Sequence, residues 1–153
     1  MSLFSFKKSR ELVDAAPKIR KLIDMTSPNK PMMNETRSHR RYNRVIPVLI
    51  SDWSEKGPRL DYTGFGFTTD ICDYGFGVIS QHFPKTRDNV IGFYQPDIGM
   101  QEPWYFQVKI ASHRVEPQNY IRLGYQIVTY LNDSEATIVK QLDQKLIQMM
   151  STS

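Results

Sequence analysis

Cysteine is nearly absent from this chain. Cys72 is the one thiol in 153 residues, which excludes an internal disulfide. Histidine is scarce as well: His39, His82 and His113 are scattered and, with a lone cysteine, offer no metal-ligand spacing. Long apolar runs are missing, and no stretch approaches the roughly 20 residues that cross a bilayer as a helix. The start, Met1-Ser2-Leu3-Phe4-Ser5-Phe6, is too short for a signal-peptide core and runs at once into Lys7 and Lys8. These absences predict a chain of the reducing cytoplasm with no membrane span. No histidine lies near Cys72 in sequence and no other catalytic constellation is visible, so no enzyme activity and no metal or cofactor is expected.

The chain has the length for one domain plus an appendage. Hydrophobic residues make up 40% and charged residues 24%, as in ordinary globular proteins. The net charge of +4 is unevenly spread. Residues 1–44 hold eleven Lys/Arg against four Asp/Glu, a balance of +7, and the remaining chain holds nine against twelve, or −3. A basic end on an acidic body suits a compact anionic ligand better than a nucleic-acid duplex running over the whole surface.

Leu12, Val13, Ala16, Ile19, Leu22 and Ile23 share one helical face over residues 9–25, interrupted by Pro17. The pattern predicts two short helices, or one beginning at Pro17, packed on the domain's flank. Thr26–Pro31 reads as a linker, so residues 1–34 form an N-terminal helical extension and 35–150 the domain proper. Strands are predicted at Val45–Trp53, Gly64–Cys72, Gly75–Ser80, Asn89–Tyr94, Trp104–Ala111 and Ile121–Tyr130, with a turn at Glu55-Lys56-Gly57-Pro58. Six short strands at this spacing suggest an antiparallel barrel or sandwich, and the glycines inside the second supply bends of the kind a small closed barrel needs. Phe65, Phe67, Phe76, Trp104, Tyr105 and Phe106 are expected mostly in its core. Asn132-Asp133-Ser134-Glu135 then supplies a cap, and Ile138, Val139, Leu142, Leu146 and Ile147 form one apolar stripe of a C-terminal helix closing a barrel end.

The chemistry concentrates in two places. Arg37-Ser38-His39-Arg40-Arg41-Tyr42-Asn43-Arg44 puts four arginines in eight residues, without helical or strand periodicity, just before the first strand. It reads as a mobile arm that clamps an anion, since a planar guanidinium grips phosphate bidentately, hydrogen-bonds the guanine edge and stacks on a base. The second place is Asp70-Ile71-Cys72-Asp73-Tyr74-Gly75, where alternation sets Asp70 and Cys72 on one strand face and Gly75 opens a turn.

Arg40-x-x-x-Arg44 followed by Asp70-x-Cys72-x-x-Gly75 resembles the RxxxR and (D/N)xSxxG pair of PilZ domains, bacterial receptors for cyclic di-GMP; Cys72 stands where the family has serine. The resemblance runs from about Arg37 to the C-terminal helix, and the Gly124-Tyr125-Gln126-Ile127 step is similar to the family's G-x-x-F. It implies a mainly β, six-stranded antiparallel split barrel with a C-terminal helix. It also implies a ligand, cyclic di-GMP, whose guanine edges and phosphates are held by Arg40 and Arg44, with Arg41 and, less directly, Arg37 beside them. Asp70 would accept the guanine N–H donors, Cys72 would occupy the serine position, and Gly75 would leave room for the ligand. By themselves, Asp70 reads equally as a turn-capping aspartate and Gly75 as a turn glycine. A thiol is a poor hydrogen-bonding group, so losing the serine costs roughly 1.5–3 kcal/mol of binding.

The expectation is a signalling receptor whose arm, loose without ligand, folds over cyclic di-GMP and presents the change to a downstream protein. Two rivals are an adaptor that kept the fold and lost the ligand, and a barrel binding single-stranded nucleic acid on its aromatics. The acidic body argues against nucleic acid. The downstream partner, a homodimer and the output pathway are left open by the sequence.

Overall fold

The computed structural model describes residues 15–26 and 41–151 of the chain. Among these residues seven strands and two α-helices follow one another: helix α1 over residues 15–25, then β1 (Tyr42–Asn43), β2 (Pro47–Ser54), β3 (Gly57–Cys72), β4 (Gly75–Ser80), β5 (Asp88–Phe93), β6 (Trp104–Glu116), β7 (Tyr120–Tyr130) and helix α2 (Ala136–Ser151). β2 through β7 pair antiparallel in the cyclic order β2-β3-β4-β7-β6-β5 and close a six-stranded barrel, with β1 as a short strand paired to β3.

Alternation sorts each wall into an inner and an outer face. Val48, Ile50, Val78, Ile91, Phe93, Phe106, Val108, Leu123, Tyr125 and Ile127 point inward and are buried in one core. Phe76, Phe93 and Phe106 meet edge to face there, with ring centroids 5.3–6.2 Å apart, the arrangement that aromatic quadrupoles favour.

The two helices exchange the roles that the sequence suggests. Ala15, Ile19, Leu22 and Ile23 of α1 are buried in the same cluster as the barrel interior, and Lys18 sits over the rings of Trp104 and Tyr130 at one barrel mouth. It is α1, expected on the flank, that closes a barrel end. The helical run already includes Ala15 and Ala16, so it does not start at Pro17. By contrast, the stripe of α2 packs on Leu49, Val90 and Tyr105, which alternate with inward residues and therefore lie on the outer wall. Tyr105 donates its hydroxyl to Asp143 Oδ1 at 2.7 Å and ties helix to strand. Ile147, on the edge of the stripe, remains 64% exposed.

Other departures have local reasons. Asn132 does not cap α2: its amide spans Tyr105 N–H and the Pro103 carbonyl, fixing the start of β6. β3 begins seven residues before Gly64, at Gly57, where the chain turns with φ 110°. β6 continues five residues past Ala111, where exposed His113 and Arg114 break the apolar alternation and pairing with β7 alone carries the strand. Phe65 and Phe67 are 42% and 50% exposed on the outer wall, not in the core.

Candidate functional site

The end of the arginine arm is fastened to the second long strand. Tyr42 and Asn43 pair with Ile71 and Asp70. The Thr68 hydroxyl then accepts from Ile46 N–H and donates to the Arg44 carbonyl. Where the sequence suggests a loose segment, residues 41–44 are therefore held on β3. This pairing sets Arg41 Nε 3.1 Å from Asp70 Oδ2. The other carboxylate oxygen, Oδ1, accepts from the Thr69 hydroxyl at 2.9 Å. Thr69 sits at a bulge between Thr68 and Asp70, where the register slips by one residue, a device that re-aims neighbouring side chains.

Asp70 opens a row that crosses four strands. It pairs with Gly77 on β4, Gly77 with Gly124 on β7, and Gly124 with Ser112 on β6. Two facing glycines in mid-row leave bare backbone as the floor of a trough. The side chains at its ends lean in: a Cβ on Gly77 would meet Asp70 Oδ1 and Thr69 Oγ1, and one on Gly124 would meet Ser112 Oγ. The resulting cleft of about 360 Å³ is lined by Arg41, Thr69, Asp70, Gly77, Ser112 and Gly124, with His113, Arg114, Arg122 and Leu123 along its far side. Flat backbone, a carboxylate at one edge and guanidinium groups at both sides can seat a planar base with donor edges and an attached anion.

Arg114 and Arg122 face each other across the hairpin. Glu116 Oε1 accepts from Arg114 Nη2 at 2.7 Å and lies 3.4 Å from Arg122 Nε. The hydrogen bond from Arg114, with the help of Arg122, holds the Glu116 carboxyl below its usual range.

The residues singled out in the sequence are not all gathered here. Arg41 and Asp70 meet at the cleft. Arg44 turns away and is 5% exposed: its Nε donates to Thr26 Oγ1 at 3.1 Å, its Nη1 to the Asn43 carbonyl at 2.9 Å, and its Nη2 reaches the Ile23 carbonyl at 3.5 Å. It thus sits at the C-terminal end of α1, where the helix dipole and spare carbonyls favour a cation. Cys72 is half-buried two residues beyond Asp70 and pairs with Gly75. A Cβ on Gly75 would collide with the Tyr125 carbonyl, so the barrel wall by itself demands glycine there. Arg37 and Arg40 lie outside the described residues.

Thr69, Gly77, Ser112, Arg114 and Arg122 were not marked by motif reasoning. One signal was present for the last two: each lies four residues from Gln118, the centre of the hairpin turn, where Gln118 and Asn119 take φ 65° and 64°. Only strand register reveals the others.

No family model matches the sequence, and no curated protein does. Among solved structures, the fold is similar to that of the Bacillus subtilis inhibitor of motility MotI/DgrA, at 12% identity and TM-score 0.46, over 83% of this chain and 57% of that one. It is similar to Borreliella burgdorferi PlzA, solved in complex with c-di-GMP, at 17% identity and TM-score 0.40, over 86% of this chain and 57% of that one. The chain thus spans little more than half the length of these two proteins. It is similar, finally, to the PilZ domain of YcgR from Escherichia coli, solved with c-di-GMP, at 15% identity and TM-score 0.35, over 77% of this chain and 93% of that one.

Proposed function

We propose that this protein is a PilZ-type receptor that binds cyclic di-GMP in the glycine-floored trough and does no chemistry on it. The observation that carries the reading is the meeting of Arg41, which adjoins Arg40 of the first motif, with Asp70 of the second. Asp70 keeps a lone pair on each oxygen beyond its present partners and accepts the adjacent guanine N1 and N2 donors. Arg41 and Arg40, its neighbour in sequence, contact phosphate and the guanine edge.

The proposed output is a change in the arm that a downstream protein senses. The contact of Arg44 with Thr26 and the Ile23 carbonyl supports a route from the arm to α1. In this scheme residues 1–34 act as an extension that reports on the ligand-binding unit, 35–150. Calorimetry with cyclic di-GMP tests it: micromolar or tighter binding that is lost in Arg40→Ala and Asp70→Ala supports the receptor, and no heat up to millimolar ligand removes it.

One alternative has observations of its own. Cys72 in the serine position and Arg44 engaged by α1 both favour an adaptor that keeps the barrel without the nucleotide. That reading predicts unaltered folding and no binding in the same calorimetry.

A further inference from the structure

We infer that the β6–β7 hairpin forms a second anion-binding wall of the trough, in which Arg122 and Arg114 take one phosphodiester of a cyclic dinucleotide while Arg41 attends the other. The inference rests on the receptor reading and deepens it, because neither sequence motif includes these residues.

The placement follows from register. Arg122 pairs with Ile79 and Arg114 with Arg122, one outer row beside Gly77, Gly124 and Ser112. Both arginines line the same cleft as Arg41 and Asp70. β7, with Arg122, is two strand spacings from β3 and β6, with Arg114, three, so the two walls stand about 10–14 Å from each other at the backbone.

The charges point the same way. Two like charges directly opposite on neighbouring strands repel, and an anion between or beside them relieves that repulsion. Glu116 supplies part of that compensation. Arg114 Nε and Nη2 approach its Oε1 at 2.8 and 2.7 Å, whereas Arg122 approaches the same oxygen only through Nε at 3.4 Å. Glu116 leaves the terminal nitrogens of Arg122 to another acceptor. Three guanidinium groups and one carboxylate line the cleft, and with Glu116 beside Arg114 and Arg122 the site keeps a surplus of one positive charge. A cyclic dinucleotide carries two negative charges on opposite sides of one macrocycle. A mononucleotide reaches one wall; the cyclic dinucleotide reaches both, so this second wall gives the site its preference for the larger ligand.

The test is titration of the full chain with cyclic di-GMP and, separately, with guanosine monophosphate, at low and moderate salt. Arg122→Ala is expected to weaken cyclic di-GMP binding at least ten-fold and Arg114→Ala/Arg122→Ala further, with a shallower salt dependence and little effect on the mononucleotide. Lys140→Ala, on exposed α2, serves as the charge control and should bind as the parent does. Thermal melts of each variant separate lost contact from lost fold, and Arg122→Lys, which keeps the charge, should recover part of the affinity. If the parent binds cyclic di-GMP and the double variant binds it equally well, the wall is refuted and the receptor stands. If the parent binds neither ligand, both fall together.

Discussion

Arg41 Nε and Asp70 Oδ2 stand 3.1 Å apart, with side chains 45% and 19% exposed. A pair this open contributes at most about 1 kcal/mol to folding. Arg41→Ala and Asp70→Ala should therefore leave the denaturant midpoint almost unchanged. The same changes should weaken cyclic di-GMP binding at least ten-fold, because the contacts to a bound guanine and phosphate are charge-assisted. Urea melts beside calorimetry check the two halves; equal affinity in parent and variants would remove Asp70 from the site.

The glycines separate fold from function. At Gly77 and Gly124 an added Cβ meets the ends of movable side chains, Asp70 and Thr69 in one case and Ser112 in the other. Gly77→Ala should fold, push the Asp70 carboxylate aside and weaken ligand binding. Gly75→Ala instead drives a methyl into the Tyr125 carbonyl, and backbone cannot step aside within a closed barrel. It should cost about 1–3 kcal/mol of stability, whether or not ligand is present. Melting curves of both variants, with and without cyclic di-GMP, distinguish them.

Arg44 joins the barrel to α1 through Thr26 and the Ile23 carbonyl. Arg44→Ala removes charged donors from buried acceptors and should destabilise the chain by about 1.5–3 kcal/mol. Limited proteolysis should then cut within residues 15–26 sooner than in the parent. An unchanged cleavage rate would mean that the apolar face of α1 holds it without help.

At the other barrel mouth, Asp52 accepts from Lys85 N–H at 2.9 Å and from Asn89 Nδ2 at 3.3 Å, and Asn89 accepts the Tyr125 hydroxyl at 2.6 Å. His82 lies beside it, with Nε2 buried and lacking a hydrogen-bond partner among the described residues. Burial pushes Asp52 above 3.8, against the pull of the Lys85 N–H, His82, Arg59 and Lys85 charges, and pushes His82 below 6.5 against Asp52. Between its folded value and 6.5 the unfolded chain holds the extra His82 proton, so stability from His82 is lost as pH falls through that window. Asp52 acts oppositely: above 3.8, stability is lost as pH rises through its folded value. The urea midpoint of the parent should drop between pH 7 and 5.5, and His82→Gln should flatten that slope. Parallel slopes would show that His82 takes up its proton as readily in the folded chain as in the unfolded one.

The sequence by itself determined the antiparallel all-strand class and the spacing of its strands, because period-two alternation and glycine punctuation are local properties of the chain. It also determined the pairing of an arginine arm with a carboxylate strand, since both motifs are contiguous. Tertiary structure decided everything that depends on register. It chose Arg41 as the partner of Asp70 and sent Arg44 to a helix end. It gave the barrel mouth to α1 and the outer wall to α2, two amphipathic stripes that look alike until a partner surface exists. The trough itself was invisible in sequence: Asp70, Gly77, Gly124 and Ser112 become one row only when four strands align, and Arg114 comes to face Arg122 only because β6 extends beyond the apolar pattern that announced it.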